Sequence, residues 1–227
     1  MDNLLHFPST TIVNRVVPKI EFYRHSSKKT WFKDLLTREV DSITWLYKLT
    51  AETLNIDNGK NIKEIDIFLC QMKGTCYSIN SFREMDELLP RHTMFIIKYG
   101  KYTDLLMHHK EKTIVRNGEE KWKCKDTELL KRVELSSFHF QLIGTSLDFV
   151  YAGLIGQVSN LKTHSIMEYE RAAALRKNNL QLQKQLEILE RKCRNEKQPR
   201  QKYELYQQIL KIKGQLFIYE TNEDAKP

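Results

Sequence analysis

The stretch TMFIIKYGKYTDLLMHHK (93–110) decides the fold. Residues 93–99 are an apolar run that ends at Gly100. Residues 102–110 supply a second run able to pair back on it, so the two read as adjacent antiparallel strands. The chain then continues the pattern. Asn117-Gly118 is a strong hairpin-turn dipeptide, and residues 120–125 alternate Trp122 and Cys124 with lysines, a third strand. Upstream, Ser81 with Glu84 three residues later matches a capping box for a helix that Pro90 bounds. Helix, strand, strand, strand is the order of an α+β globular domain with an antiparallel sheet.

Earlier segments fit the same architecture. Trp31, Phe32, Leu35 and Leu36 recur at helical spacing over residues 28–40, with Thr30 as a candidate cap. Ile43, Trp45, Tyr47 and Leu49 then alternate as a strand. Residues 50–56 and Asp57-Asn58-Gly59 turn the chain, and Ile62, Ile65, Ile67 and Leu69 argue a second, well-buried strand, so 43–72 reads as a meander or hairpin. Residues 1–20, with β-branched Ile12, Val13, Val16 and Val17 between Pro8 and Pro18, read as an extended arm or edge strand. From 142 to 158, Leu147, Val150, Tyr151, Leu154, Ile155 and Val158 lie on one helical face that closes the globular domain, residues 1–160.

Residues 161–220 carry a different signal. Leu175, Asn179, Leu182, Leu186, Leu189 and Cys193 step four, three, four, three, four, which is a coiled-coil-like seam with one polar Asn in it. Leu205, Ile209, Ile212 and Leu216 step likewise beyond Pro199, but in a shifted phase. Proline cannot donate to the helix ladder and disfavours helix at Gln198, so two helices folded back as a hairpin explain both proline and phase shift better than one long kinked helix. Residues 221–227 read as a frayed tail.

Composition bounds the function. The 227 residues are 41% apolar, enough for a core, and eight Gly and five Pro exclude collagen-like or low-complexity architectures. No apolar run approaches the ~20 residues of a membrane span, and the first residues lack the pattern of a signal peptide. The four cysteines fall on separate segments without short paired spacings, so reduced thiols and a cytoplasmic location are expected. Against 29 acidic residues there are 37 Lys and Arg, a net charge of +8, which favours anionic partners. The excess is densest in residues 165–220, where 12 basic residues face 7 acidic ones.

Several segments resemble a known family: VVPK (16–19), SITWLYKLTAETLNI (42–56), EIDIF (64–68), LLPRHTMFII (88–97) and LERKCRNEKQPRQKYEL (189–205). Together they look like the bacterial domain of unknown function 4391 family, over about residues 8–217. Pro199 departs from the aromatic expected after Gln198. The resemblance supplies no catalytic residues. It implies a bacterial accessory protein whose genes neighbour helicases and DNA methyltransferases in restriction-like, antiviral (anti-phage) defence loci.

Candidate sites are few, and the chain reads as a protein without catalysis of its own. At the hairpin tip Arg191, Lys192, Arg194, Lys197, Arg200 and Lys202 cluster, with Glu190 and Glu196 among them, and could meet nucleic-acid phosphates; Tyr203 and Tyr206 could stack. The ordinary alternative is a solvated tip. Lys19, Lys28 and Lys29 form a weaker basic patch. Leu175, Asn179, Leu182, Leu186 and Leu189 are the candidate partner-binding residues, for a protein partner (the locus helicase or methyltransferase) or a second copy. The enzymatic alternative is a metal-dependent nuclease with a degenerate Asp…Glu-x-Lys site from Asp104, Glu119 and Lys121, which needs acids and lysine together on adjacent strands. A version on Glu64 and Asp66 lacks its lysine. Zinc on Cys70, Cys76, His108 and His109 lacks the two close ligand pairs of structural sites. His92 and His139 show no partner for acid–base work, and there is no Gly-rich phosphate loop. No cofactor and no metal are implied. The expected function is a non-catalytic interaction subunit of a DNA-directed defence system.

Overall fold

The computed structural model describes residues 3–24, 29–114 and 118–224. Lys28, Asn117 and the last three residues of the expected tail lie outside them. The chain divides into two compact units, Met1–Tyr169 and Glu170–Pro227.

In the first unit the elements run β1 (Ile12–Val16), α1 (Ile20–Tyr23), α2 (Lys29–Glu39), β2 (Val40–Leu49), α3 (Ala51–Leu54), β3 (Ile65–Met72), α4 (Ile79–Leu88), β4 (His92–Tyr99), β5 (Tyr102–Ile114), β6 (Glu120–Leu130) and α5 (Leu147–Ser159). The six strands form one sheet in chain order, β1 and β6 at its edges. Every neighbouring pair is antiparallel except β3–β4, which is parallel, with α4 as the crossover a parallel pair needs. The fold is α+β, with a mostly antiparallel sheet followed by helices.

Alternation along the strands builds two layers of core. Phe68, Cys70, Phe95, Ile97 and Leu106 pack with Phe32 and Leu36 of α2 and with Phe82 and Met85 of α4. Ile67, Met94, Ile96, Leu105 and Met107 point the other way and are equally buried. On that face α5 meets β5 and β6, bringing in buried Tyr151, Leu154, Ile155 and Val158. β3 is buried along nearly its whole length because both of its faces are covered.

Long-range side chains set the element ends. Asp148, in the first turn of α5, accepts the backbone N–H groups of Lys60, Asn61 and Ile62 at 2.8–3.3 Å and so holds the loop before β3. The expected Ser81 capping box is not how α4 begins. Ser78 is the cap residue, its N–H donates to Glu39 (3.0 Å), and Ser81 lies one turn inside, buried, donating its hydroxyl to the same carboxylate (3.2 Å). A carboxylate at the end of α2 thus supplies the anion that a helix N-terminus favours. Residues 50–55, expected only as a turn, make a single helical turn. Thr50 and Thr53 cap it reciprocally, and Asn55 ends it at φ 53°.

In the second unit, α6 (Ile166–Asn195, whose first turn belongs to the first unit) runs into α7 (Pro199–Asp224). Lys213 pairs with Glu190 at 2.8 Å, so the helices lie antiparallel as a hairpin. Pro199 takes the first helical position of α7, where its missing N–H costs nothing.

Candidate functional site: the hairpin and its cationic tip

The seam residues come together. On α6, Asn179, Leu182, Leu186, Leu189 and Cys193 are all half-buried; on α7, Leu205, Ile212 and Leu216 are half-buried and Ile209 is buried. Leu175 is 42% exposed and stands apart. The residues expected to bind a partner therefore mostly line the hairpin's own interior stripe. Two helices alone leave that stripe open along its sides. One opening is a groove of about 480 Å³ lined by Ile188, Leu189 and Ile212 and flanked by Gln185, Gln208 and Lys211. Ile188 is 45% exposed there. Asn179 Oδ1 is buried without a hydrogen-bond partner among the described residues.

At the tip, Arg191, Lys192, Arg194, Lys197, Arg200 and Lys202 are all exposed. The nearby acids are already engaged: Glu190 with Lys213, Glu204 with Arg200 of the cluster itself (3.4 Å), and Glu196 with the Gln198 N–H (2.8 Å). Lys213 holds the Glu190 carboxyl below its ordinary pKa. Among the described residues, Arg191, Lys192, Arg194, Lys197 and Lys202 form no ion pair. A polar groove of about 550 Å³ lies between the two helices here, with Arg191 and Lys192 on one wall and Gln201 and Glu204 on the other.

The structure does not assemble the nuclease constellation. Asp104 pairs with Ile97 near the start of β5, whereas Lys121 pairs with Thr113, nine residues further along that strand and so about 30 Å away. Asp104 is buried and accepts three hydrogen bonds, from Tyr77 Oη (2.6 Å), Tyr99 Oη (3.0 Å) and the Arg132 N–H (2.8 Å). Lys121 pairs with Glu119 at 3.6 Å in solvent. Glu64 and Asp66 do sit together, but on cations: Arg91 reaches Glu64 (2.6 Å) and Asp66 (3.2 Å), and Lys48 reaches Glu64 (3.1 Å). Burial pushes the Asp66 carboxyl up to about 7 despite Arg91, and its Oδ1 has no partner among the described residues. Of the weaker basic patch, Lys19 donates its ammonium to the Val40 carbonyl.

Sequence reasoning missed a buried polar network. Lys110 Nζ donates to Asp86 Oδ1 (2.5 Å), the Asp86 carbonyl (2.6 Å) and the Leu89 carbonyl (3.0 Å), which uses all three of its protons and closes the C-terminus of α4. His108 Nδ1 donates to Asp86 Oδ2 at 2.9 Å, and the Thr93 hydroxyl donates to Asp86 Oδ1. Burial alone would raise the Asp86 pKa; Lys110 and His108 outweigh it and hold the carboxyl below its ordinary value. Cys124 lies close, one ligand atom each of Asp86, His108 and Cys124 falling within 4.8 Å of the others, and burial pushes its thiol well up. The zinc grouping of Cys70 and Cys76 with the histidines does not form: Cys70 is buried, Cys76 is exposed, and His108 turns to Asp86. His92 is buried against Tyr151 and Trp122, and burial with the nearby Lys110 lowers its pKa to about 4. His139 stacks on His6.

Among the described residues no helix is long and apolar enough to cross a membrane. No curated protein and no solved structure matches the chain. A family model does, the one described as a domain of unknown function, DUF4391, over residues 5–216. With nearly the whole chain matched, the protein belongs to the DUF4391 family.

Proposed function

We propose that the protein is a non-catalytic interaction subunit that engages a partner helix through the flank of its α6–α7 hairpin and nucleic-acid phosphates through the hairpin tip. The observation that carries the reading is the open apolar groove at Ile188, Leu189 and Ile212 on a hairpin whose end bears five cations that form no ion pair among the described residues. An amphipathic helix laid in such a groove would complete the burial that two helices leave unfinished. The cations supply the sequence-independent attraction that polyanions answer to.

The family resemblance implies genes that neighbour helicases and DNA methyltransferases of defence loci, so those products are the partners to test first. The four cysteines are free thiols, which a reducing compartment maintains, and the reading puts the protein in the cytoplasm.

Co-purification with the neighbouring helicase and methyltransferase tests it. Wild-type protein is expected to retain one of them and to be held on DNA in a salt-sensitive way. Ile188→Asp should lose the protein partner with its helix content intact, because the side chain is already half in solvent. Retention of neither partner nor DNA by the wild type would defeat the reading.

A further inference from the structure

The outer surface of α7 carries two exposed rings in the middle of the cationic end. Tyr203 is 64% and Tyr206 51% exposed, and Leu210, one turn further on, is 45% exposed. Positions 203, 206 and 210 fall on one stripe, turned away from the Leu205, Ile209, Ile212 and Leu216 stripe that faces α6. Neither tyrosine takes part in a ring contact or hydrogen bond among the described residues. Burial in the hairpin therefore does not explain them, and leaving large aromatic surface in water is unfavourable.

Their neighbours select the ligand. Lys202 and Lys213 flank the stripe on one side, Arg200 and Lys211 on the other, and Arg191, Lys192, Arg194 and Lys197 occupy the turn end of the hairpin. The one described acid on α7 up to residue 216 is Glu204, paired with Arg200. A second copy would bring the same excess of cations to this surface and be repelled. A ligand that answers both features presents a phosphate row together with flat, unpaired faces. A duplex offers the first and hides the second in its stack. A single strand offers both, and stacking on aromatic side chains tolerates any base.

We propose that Tyr203 and Tyr206 form a stacking platform for single-stranded nucleic acid, with Lys197, Arg200 and Lys202 holding the adjacent phosphates. The proposal rests on the tip contact with nucleic acid put forward above and specifies its substrate class. Rings three residues apart on a helix stand about 5–6 Å apart at Cβ, so each can meet its own base once the strand is unstacked.

Fluorescence anisotropy of the full chain with a labelled 20-nucleotide oligo-dT, and with a duplex of equal length, tests it across a salt series. The single strand should bind about tenfold or more tighter than the duplex. Tyr203→Leu with Tyr206→Leu should weaken single-strand binding by about tenfold or more and leave duplex binding unchanged, while Tyr203→Phe with Tyr206→Phe should retain it. Leucine keeps helix propensity and apolar area, so lost stacking is what the pair of variants separates. Lys197→Gln with Lys202→Gln should weaken both ligands and flatten the salt dependence, by about 0.7 in slope per lost phosphate contact for the single strand and about 0.9 for the duplex. Equal binding of the two ligands, or a leucine variant as tight as wild type, overturns the stacking platform while leaving the phosphate contact standing. No binding of either ligand at low salt overturns both. A leucine variant that loses a protein partner, with no oligonucleotide bound by wild type, assigns the stripe to that partner and overturns the proposal.

Discussion

Lys110 shows what a fully buried ammonium requires. Its three protons meet a carboxylate and two carbonyls at the end of α4, so the charge is compensated and the helix end is closed by one side chain. Lys110→Met should strand the Asp86 carboxylate in the core and cost about 3–5 kcal/mol. Adding Asp86→Leu should recover part of that loss, since an apolar pair leaves no buried charge; urea titration of the single and double variants measures both. Asp66 makes the opposite case, a buried carboxylate with only partial compensation. Its folded pKa is about 7 against an ordinary 3.8, so the folded state holds the proton more tightly, and the associated stability is present below about pH 4 and lost as pH rises through 7. Asp66→Asn should therefore gain in Tm over wild type as pH goes from 4 to 8, the gap closing at the acid end; a pH-independent gap would show that Asp66 does not titrate in this range. These sites were poorly legible. Asp86 reads as one acid among many on a helix, and its partners lie 22 and 24 residues away. The available signal was in β5, where His108, His109 and Lys110 extend an apolar run without changing to alternation. That places polar groups where both sheet faces are covered, but sequence spacing cannot say which residue will satisfy them.

Glycines test the element ends. A Cβ on Gly59 would stand 2.3 Å from the Ile62 carbonyl and 2.5 Å from Asp148 Oδ1, inside the clamp that holds the loop before β3. Gly59→Ala should cost about 1–3 kcal/mol, because backbone rather than a flexible side-chain end must yield. Gly214 is the contrasting position. It lies inside α7 with nothing within 4 Å of a built Cβ, so Gly214→Ala should stabilise the hairpin by about 0.5–1 kcal/mol, read as a higher midpoint of the helical signal. Elements with strong local periodicity were legible: α2, β4 to β6, α5 and both hairpin helices follow their apolar spacing, and Pro199 marks the start of α7. What escaped depended on distant partners. The start of α4 is set by Glu39 on another helix. The parallel pairing of β3 with β4 follows from how α4 crosses the sheet, which a run of apolar residues does not record.

At the scale of the molecule, two units share one continuous helix. The charge asymmetry that marks the second unit was plain in the sequence because its cations crowd into residues 191–202, whereas the groove at Ile188 emerges only when α7 is laid beside α6. Whether the units unfold together is open to a clean measurement, since all three tryptophans (Trp31, Trp45 and Trp122) belong to the first unit. Tryptophan fluorescence therefore reports the sheet unit, and circular dichroism at 222 nm is weighted toward α6 and α7. Ile209 is the buried member of the α7 seam, at 5% exposure. Ile209→Asp puts a charge there and should destabilise the hairpin by about 2–5 kcal/mol. The expected outcome is an early urea transition in the dichroism signal and an unmoved fluorescence midpoint. Non-coincident probes are the signature of a molecule that is not two-state. Equal shifts of both midpoints would mean that α6 transmits the loss to the sheet and that the hairpin is part of one cooperative body. Unequal shifts would leave the hairpin free to bind, fray or rearrange while the sheet unit stands, as a recruiting element requires.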